Sequence, residues 1–542
     1  MIRKALLEAK HPEDYDNLME LLRPPKDILQ VAPAGIAKGM HIGIIGAGLA
    51  GLCAAYELQK LGFDITFLEL QQNRIGGRVH TYYFNPGKSL YGELGAMRIP
   101  VIHETVWHFI DLFGLSTRPF VQNNENAWIY VRGQRVRNDA DGLAVMQKIY
   151  PLFPLTQKER KTPWQVLLDT ALTSYFYTIP VSMRREILEI KKHYSELITA
   201  LDYQNIRKVM ESTGLSQGAI NMLSGIMPFV GETLYRSYFE SLQETYTVDS
   251  AYRYEIEGGM EKLPQSFYKF LKERAKEGKR IRFKMGCRVD KIIRKENKQL
   301  LLSYQKERGR ERVWEAFDFV LCTIPFSSLR NVQIDSVLSA GKIQAIREVS
   351  YISAQKSLLL CKERFWERGG SEQRIVGGGS YTDLLISSTW YPSIRAYSLV
   401  GEEDWKHMGV LLASYNLGQD ALRLGNLEPS YKEQVLFWQL EALHGLPKGY
   451  LRDIVLSRKS VLWNHEAGFY GGFCYYMPEQ KRLFSFVSGS PEYDGLLYFA
   501  GEHTSSTHGW QQGAMHSGLR AANEIAAKLR DGSRLLQYAP PN

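Results

Sequence analysis

The sequence predicts an α/β protein with three parts: a parallel-sheet domain assembled from three separated stretches of chain, a mixed-sheet domain and a helical insertion. Three observations predict it. The run "HIGIIGAGLAGLCAAYELQKLGFDITFLEL" passes from a short apolar strand pattern to a helical one and back, as a βαβ unit does. From Gln157 to Gln243 apolar residues recur three and four apart, as in "WQVLLDTALTSYFYTI" and "VSMRREILEIKKHYSELITAL", which reads as amphipathic helix. After Ser250 strand patterns return, and the last segment reads as strand, loop and helix.

Taken in order, residues 1–39 read as an N-terminal helical arm, "MIRKALLEAKHPEDYDNLMELL", running into the Pro-rich "LRPPKDILQVAPAG". Residues 40–80, 255–335 and 482–530 supply the parallel-sheet domain. Within them, "KRIRFKMGCRVDKIIRKENKQLLLSYQK" and "RERVWEAFDFVLCTIP" read as strands joined by charged turns. Residues 81–135 and 336–481 form the mixed-sheet domain, and 136–254 the helical one. A length of 542 residues exceeds what one core serves, so several domains are expected.

Composition narrows the function classes. The net charge of +9, from 67 basic and 58 acidic residues, is dispersed; it suits anionic small ligands and gives no nucleic-acid stripe. The basic stretches Lys272 to Arg282 and Arg308 to Arg312 are interleaved with acids and read as solvated helix and hairpin surface. Five widely spaced cysteines without a CxxC or Cys/His cluster predict neither a disulfide framework nor a zinc site. No run reaches the length of a membrane span, and the N-terminal stretch lacks the continuous apolar core of a signal peptide. The expectation is a soluble cytoplasmic protein without nucleic-acid, membrane or metal partners.

The segment "IGIIGAGLAGL" places Gly46, Gly48 and Gly51 in a GxGxxG pattern between strand and helix, with Glu69 ending the second strand. Gly46 serves the tight turn, Gly48 lets a pyrophosphate approach, and Gly51 lets helix pack on strand. The N-terminus of the helix, near Ala50, offers unpaired N–H groups to phosphate. Glu69 suits ribose hydroxyls. This is a Rossmann-like dinucleotide site. The following "RIGGRVHTYYF" adds Gly76, Gly77 and Arg78, suited to a second phosphate contact.

Together these residues resemble the FAD signature of the flavin amine oxidase family. Further segments extend the resemblance in the right order: "GGMEKLPQSF", "CRVDKI", "FDFVLCTIP" and "LYFAGEHTSSTHGWQQGAMHSGLRAA". The resemblance implies FAD as cofactor. The backbone of Val289 would clasp the adenine. Gly501 and Glu502 would meet the ribityl or phosphate region. Gly509, Trp510, Gln511 and Ala514, with the helix that follows, would lie at the flavin ring. The small pair Gly95 and Ala96 would leave that ring room, with Met97 beside it. Monoamine oxidases attach flavin through a Cys in "GGC"; here "GGFC" shifts Cys474 by one position, so the FAD is expected without a covalent link.

Within that family, "GELGAMRIP" resembles the L-amino acid oxidases. A buried guanidinium needs an anion opposite it. The resemblance implies that Arg98 takes the α-carboxylate of an amino acid in bidentate fashion. By the same resemblance Tyr391 in "STWYPSI" would add a hydroxyl to that carboxylate, with Trp390 the alternate. Phe473, Gly509 and Trp510 would wall the pocket and favour apolar or aromatic side chains. Lys356, on a strand of apolar neighbours, would hold a water near the flavin's reactive nitrogen. A histidine offered as base in some members is replaced here by Gln243 and Glu244; Glu244 could act as base, but a solvated carboxylate is the stronger expectation. The implied activity is hydride transfer from the α-carbon to flavin with oxygen as acceptor, giving 2-oxo acid, ammonia and hydrogen peroxide. Polyamine or monoamine oxidase and amino-acid 2-monooxygenase remain open alternatives. A homodimer is expected.

Overall fold

The structure is a computed structural model describing residues 1–306, 312–396, 401 and 403–537, with side chains to 532. Residues 308–311 of the second expected basic stretch lie outside the described residues. The fold is mixed α/β with several sheets.

At its centre is a five-stranded, wholly parallel sheet. Its strand order is Ile281–Met285, Asp64–Glu69, His41–Ile45, Phe319–Cys322 and Leu497–Phe499. The strands "HIGII", "DITFLE", "FVLC" and "LYF" are buried almost throughout, as parallel strands covered on both faces must be. Helix Leu49–Leu58 crosses between the first two strands. Its far side meets the long helix Gln511–Gln537, which packs so closely that a Cβ at Gly518 would collide with the backbone of Ala50.

A four-stranded sheet lies beside it, in the order Arg312–Phe317, Leu300–Lys306, Cys287–Arg294, Gln333–Ile334. Its ladder is antiparallel except for the last strand, and it bulges between Val289 and Lys291. A seven-stranded sheet carries Ala354–Cys361 and Gly409–Leu417 second and third from one edge and takes in the hairpin Trp128–Val131 and Gln134–Arg137 at the other. A three-stranded sheet joins Ile99–Pro100, Arg253–Ile256 and Thr117–Pro119.

Several expectations change in detail. The N-terminal arm is divided between two cores: Ala5, Leu6, Leu18 and Leu22 are buried with the helical region, whereas Ile28, Ala32 and Ala37 join the core of the parallel sheet. The run 181–201 is not one helix. It forms Val181–Arg184, a 3-10 turn and then Glu196–Asp202. Side chains break it: Glu186 accepts from the Ser195 N–H at 2.9 Å, and the Tyr194 hydroxyl accepts from Lys191 N–H, local bonds that compete with helix. The expected boundaries at 135/136, 254/255 and 481/482 fall inside Gln134–Arg137, Arg253–Ile256 and Gln480–Gly489. Strands and helices paired on both sides of such a point cannot be connections.

Candidate active site

A cavity of about 600 Å³ runs from the carboxyl ends of the parallel strands to the three-stranded and seven-stranded sheets. The position is the one expected for ligands of open parallel sheets.

At the parallel-sheet end the lining is mostly backbone and small side chains. Gly46 has φ +98°, and a Cβ there would press on Thr323 Oγ1 at 3.0 Å. Gly51 abuts the turn, with a Cβ only 2.5 Å from Gly46 O. Gly48 precedes the helix without a side-chain cap, and a Cβ on it would stand in open space. Open space at the bare N-terminus of a helix is what a pyrophosphate needs. Ala50, Gly76 and Gly77 complete this wall, with Gly76 N–H bonded to Ala47 O at 2.8 Å. Glu69 accepts from the N–H groups of Ala47 at 2.6 Å and Gln71 at 2.8 Å. Burial pushes its carboxyl above the usual range, against those two donors. Val289 lies on the wall beside it. The residues present therefore fit an FAD: glycine cradle, helix N-terminus and ribose acceptor stand together.

Further along, Arg78 meets Glu502 at 2.8 Å rather than standing free for a phosphate. Glu502 also accepts from Gly509 N–H at 3.0 Å and Cys474 N–H at 3.2 Å. Burial opposes its charge, yet Arg78 and the neighbouring histidines hold its carboxyl below the usual range. Glu502 thus ties the loop that carries Gly509 and Trp510 to the segment of Cys474, just ahead of the helix that begins at Gln511; Gly501, Gly509, Trp510, Gln511 and Ala514 all lie on the cavity wall. Gly95, Ala96 and Met97 line the same stretch; a Cβ on Gly95 would collide with Arg78 O.

Lys356 sits under this strip. Its Nζ donates to Gly95 O at 2.6 Å and Glu93 O at 3.3 Å, over the Tyr415 ring at 4.5 Å. Burial, then Arg98, pushes its pKa down.

Arg98 faces the cavity from the residue before the strand Ile99–Pro100. It forms no ion pair among the described residues. Nη1 donates to Gln122 Oε1 at 3.1 Å, and its guanidinium lies over Trp390 and Phe120 at 4.9 and 5.7 Å. Phe473 lines the wall next to Gly509, whose Cβ would stand 2.9 Å from the Phe473 ring.

One expectation is corrected and another is refined. Tyr391 is not in the cavity: it is buried in the core behind the sheet, its hydroxyl bonded to Ser380 at 2.7 Å and His444 at 2.8 Å. Neighbouring strand residues point to opposite faces, so Trp390, the alternate, lines the cavity instead. Glu244 keeps an exposed side chain, as expected, and lines the cavity, where the surrounding protein still withdraws much of its water. Burial, then Asp249, pushes its carboxyl up to about 7, against Arg253 and Arg98.

Sequence reasoning missed Gln122, Arg253, His508 and Glu240. His508 Nδ1 lies 2.8 Å from Glu240 Oε1. Arg253 and Gln122 carry no local motif; only the pairing of distant strands brings them to Arg98.

Comparisons with known proteins agree with this geometry. The family model described as flavin-containing amine oxidoreductase matches residues 49–526. The L-amino acid oxidase Cdc18 of Crotalus durissus cumanensis is 30% identical over 530 residues, 96% of this chain and 96% of its own. The L-amino-acid oxidase of Vipera ammodytes ammodytes is 30% identical over 537 residues, 96% of this chain and 99% of its own. The structure of a putrescine oxidase bound to putrescine superposes with a TM-score of 0.67 at 17% identity, over 90% of this chain and 99% of its own, a likeness of fold. These relatives overturn the cytoplasmic expectation, for the snake oxidases are secreted proteins. The stretch 1–22 on which that expectation rested is silent about location, because its apolar spacing serves to bury Leu6 and Leu18 in the helical core. Over nearly its whole length, then, the chain belongs to the flavin-containing amine oxidoreductase family.

Proposed function

We propose that this chain is an FAD-dependent L-amino-acid oxidase with oxygen as acceptor, giving 2-oxo acid, ammonia and hydrogen peroxide. The observation that carries the reading is Arg98: a guanidinium on the cavity wall that, among the described residues, bonds a neutral amide and lies over two aromatic faces but forms no ion pair. Such a cation calls for an anion in the ligand, and an amine substrate brings none. Relatives named L-amino acid oxidases, matched over nearly their full length, support the same assignment.

We read the stretches 40–80, 255–335 and 482–530 as the FAD-binding domain, apart from the strand end 255–256 and the helix residues 482–489 whose elements begin outside them, on the support of the parallel sheet they share. Gly46, Gly48, Ala50, Gly76 and Gly77 would hold the phosphates, Glu69 the ribose and Val289 the adenine. Bound FAD supplies a two-electron acceptor that oxygen regenerates. Cys474 is buried in a hydrophobic core, which supports a non-covalent cofactor. Arg98 grips the α-carboxylate through two parallel N–H donors and so fixes the α-hydrogen. Trp510, Phe473 and Trp390 exclude water and favour apolar or aromatic side chains. Lys356, its charge disfavoured by burial, is placed to hold a water or accept a proton beside Gly95. A homodimer is part of this reading, and sedimentation of the purified protein tests it.

Oxygen consumption with L-tryptophan and tryptamine tests the assignment. The amino acid should turn over and the amine should not. In Arg98→Met the protein should stay yellow while KM for amino acids rises about 100-fold or more, the scale for unpairing a buried carboxylate. Unchanged KM in that variant would remove Arg98 from the site.

A further inference from the structure

The three-stranded sheet places three residues from distant parts of the chain around one atom. Arg98 immediately precedes Ile99, which pairs with Tyr254; Pro100 pairs with Arg253 itself. On the other side Pro119 pairs with Tyr254, and Phe120 N–H bonds Arg253 O at 2.8 Å. Two residues further, Gln122 reaches back between the arginines. Its Oε1 accepts from Arg98 Nη1 at 3.1 Å and from Arg253 Nη1 at 2.8 Å. Two donors on one amide oxygen fix which way that amide points, and leave its NH₂ group free to donate.

Like charges do not gather around one neutral atom without compensation. Among the described residues neither arginine is in an ion pair, whereas acids nearby are committed elsewhere: Asp249 to His103 at 3.1 Å and Glu240 to His508 at 2.8 Å. Glu244 shares the wall, but burial and Asp249 push its carboxyl up to about 7, which makes it a weak counter-ion at neutral pH. Arg253 is itself pushed down to about 10, by burial and then by Arg98. Its Nε is already spent on Asp249 O at 2.6 Å, and the Trp510 ring lies 5.6 Å from the guanidinium. Both cations line the cavity.

We propose that Arg253 is a second carboxylate-binding residue of this pocket, held in register with Arg98 by Gln122. This rests on the oxidase reading above and extends it. The carboxylate has two sources: the α-carboxylate, clamped from both sides, or the side-chain carboxylate of a dicarboxylic amino acid. The second would overturn the expectation that acidic side chains are disfavoured.

Steady-state kinetics with L-leucine and L-glutamate on the FAD-loaded protein test it, with flavin absorbance as the check on folding. Arg253→Met should raise KM by about 10- to 100-fold with kcat changed only a few-fold, and Arg253→Lys should recover part of the loss. An effect on both substrates assigns the α-carboxylate; an effect on glutamate alone assigns the side chain. Gln122→Glu keeps the shape and adds an internal anion between the guanidiniums, so it should raise KM even if Arg253→Met fails to fold. Calorimetric binding of 4-methyl-2-oxopentanoate, which carries only the α-carboxylate, should weaken in Arg253→Met under the first assignment and stay unchanged under the second. If Arg253→Met and Gln122→Glu leave KM for both substrates unchanged while Arg98→Met raises it, the second carboxylate site is wrong and the oxidase reading stands. If Arg98→Met also leaves KM unchanged, both fail together.

Discussion

The two ends of the cavity are built on different principles. At the parallel-sheet end, positions are set by backbone: Gly46, Gly48 and Gly51 let one strand, one turn and one helix approach within contact distance. The ligand would meet N–H groups whose direction the helix dictates. At the other end, the side chains of Arg253, in one strand, and of Arg98, next to another, meet at Oε1 of Gln122, which lies just past a third, and charge rather than shape is the organising quantity. Backbone sites tolerate little volume change but need no counter-ion. Side-chain sites accept volume change, yet respond to any change in charge.

That contrast can be broken by substitutions at its two ends. The largest effect is expected from Gly51→Val, because a Cβ there stands 2.5 Å from Gly46 O and 3.0 Å from the Ile44 side chain. Overpacking of this kind costs about 3 kcal/mol or more, so the protein should lose thermal stability and flavin together. Gly48→Ala sharpens the point: its Cβ meets nothing in the protein, so melting of the flavin-free protein should be unchanged while flavin absorbance after gel filtration falls. Equal loss of melting temperature in both variants would erase the distinction between packing glycine and ligand glycine.

A smaller effect is expected at the charged end and is read against pH. Burial and Asp249 push the Glu244 carboxyl up to about 7. Below that pH it is neutral and the two arginines attract a substrate carboxylate undiminished. Above it the ionised carboxylate offsets part of their charge. KM should therefore rise between pH 6 and pH 8, by about five- to tenfold for an interaction near one pKa unit. In Glu244→Gln that slope should vanish with KM held at its low-pH value. A slope that persists in the variant assigns the titration to another group.

The smallest effect is expected from Tyr391→Phe. The lost hydroxyl bonds to Ser380 and His444 cost stability by about 1 kcal/mol, while kcat/KM should stay within about twofold. A steep loss of kcat/KM would return Tyr391 to the substrate side of the sheet.

Legibility followed the same division. The spacing of Gly46, Gly48, Gly51 and Glu69 could be read because strand, turn, helix and strand are consecutive, so local geometry and sequence distance coincide. Arg98 was legible for another reason: a charge inside "GAMRIP" is costly to bury and so draws attention by itself. Tyr391 and Trp390 were confused because adjacent strand residues differ only in which face they take, and "STWYPSI" is too short to set that register. That Glu244 is exposed was legible on its helix; that its exposed side chain lines the cavity was not, because a helix sequence does not say what its polar face meets.

By itself, the sequence determined the α/β class, the strand, glycine turn and helix that line one end of the cavity, and the presence of a cation, Arg98, at the other. Each depends on interactions between near neighbours in the chain. Only the tertiary structure decided that Gln122 and Arg253 join Arg98, that Glu502 is spent on Arg78, and that Trp390 rather than Tyr391 faces the cavity. The first two depend on contacts between residues more than a hundred positions apart, and the third on how Ser388–Trp390 registers against its neighbouring strands; both are set by the packing of whole sheets, which leaves no local trace in the amino acids it brings together.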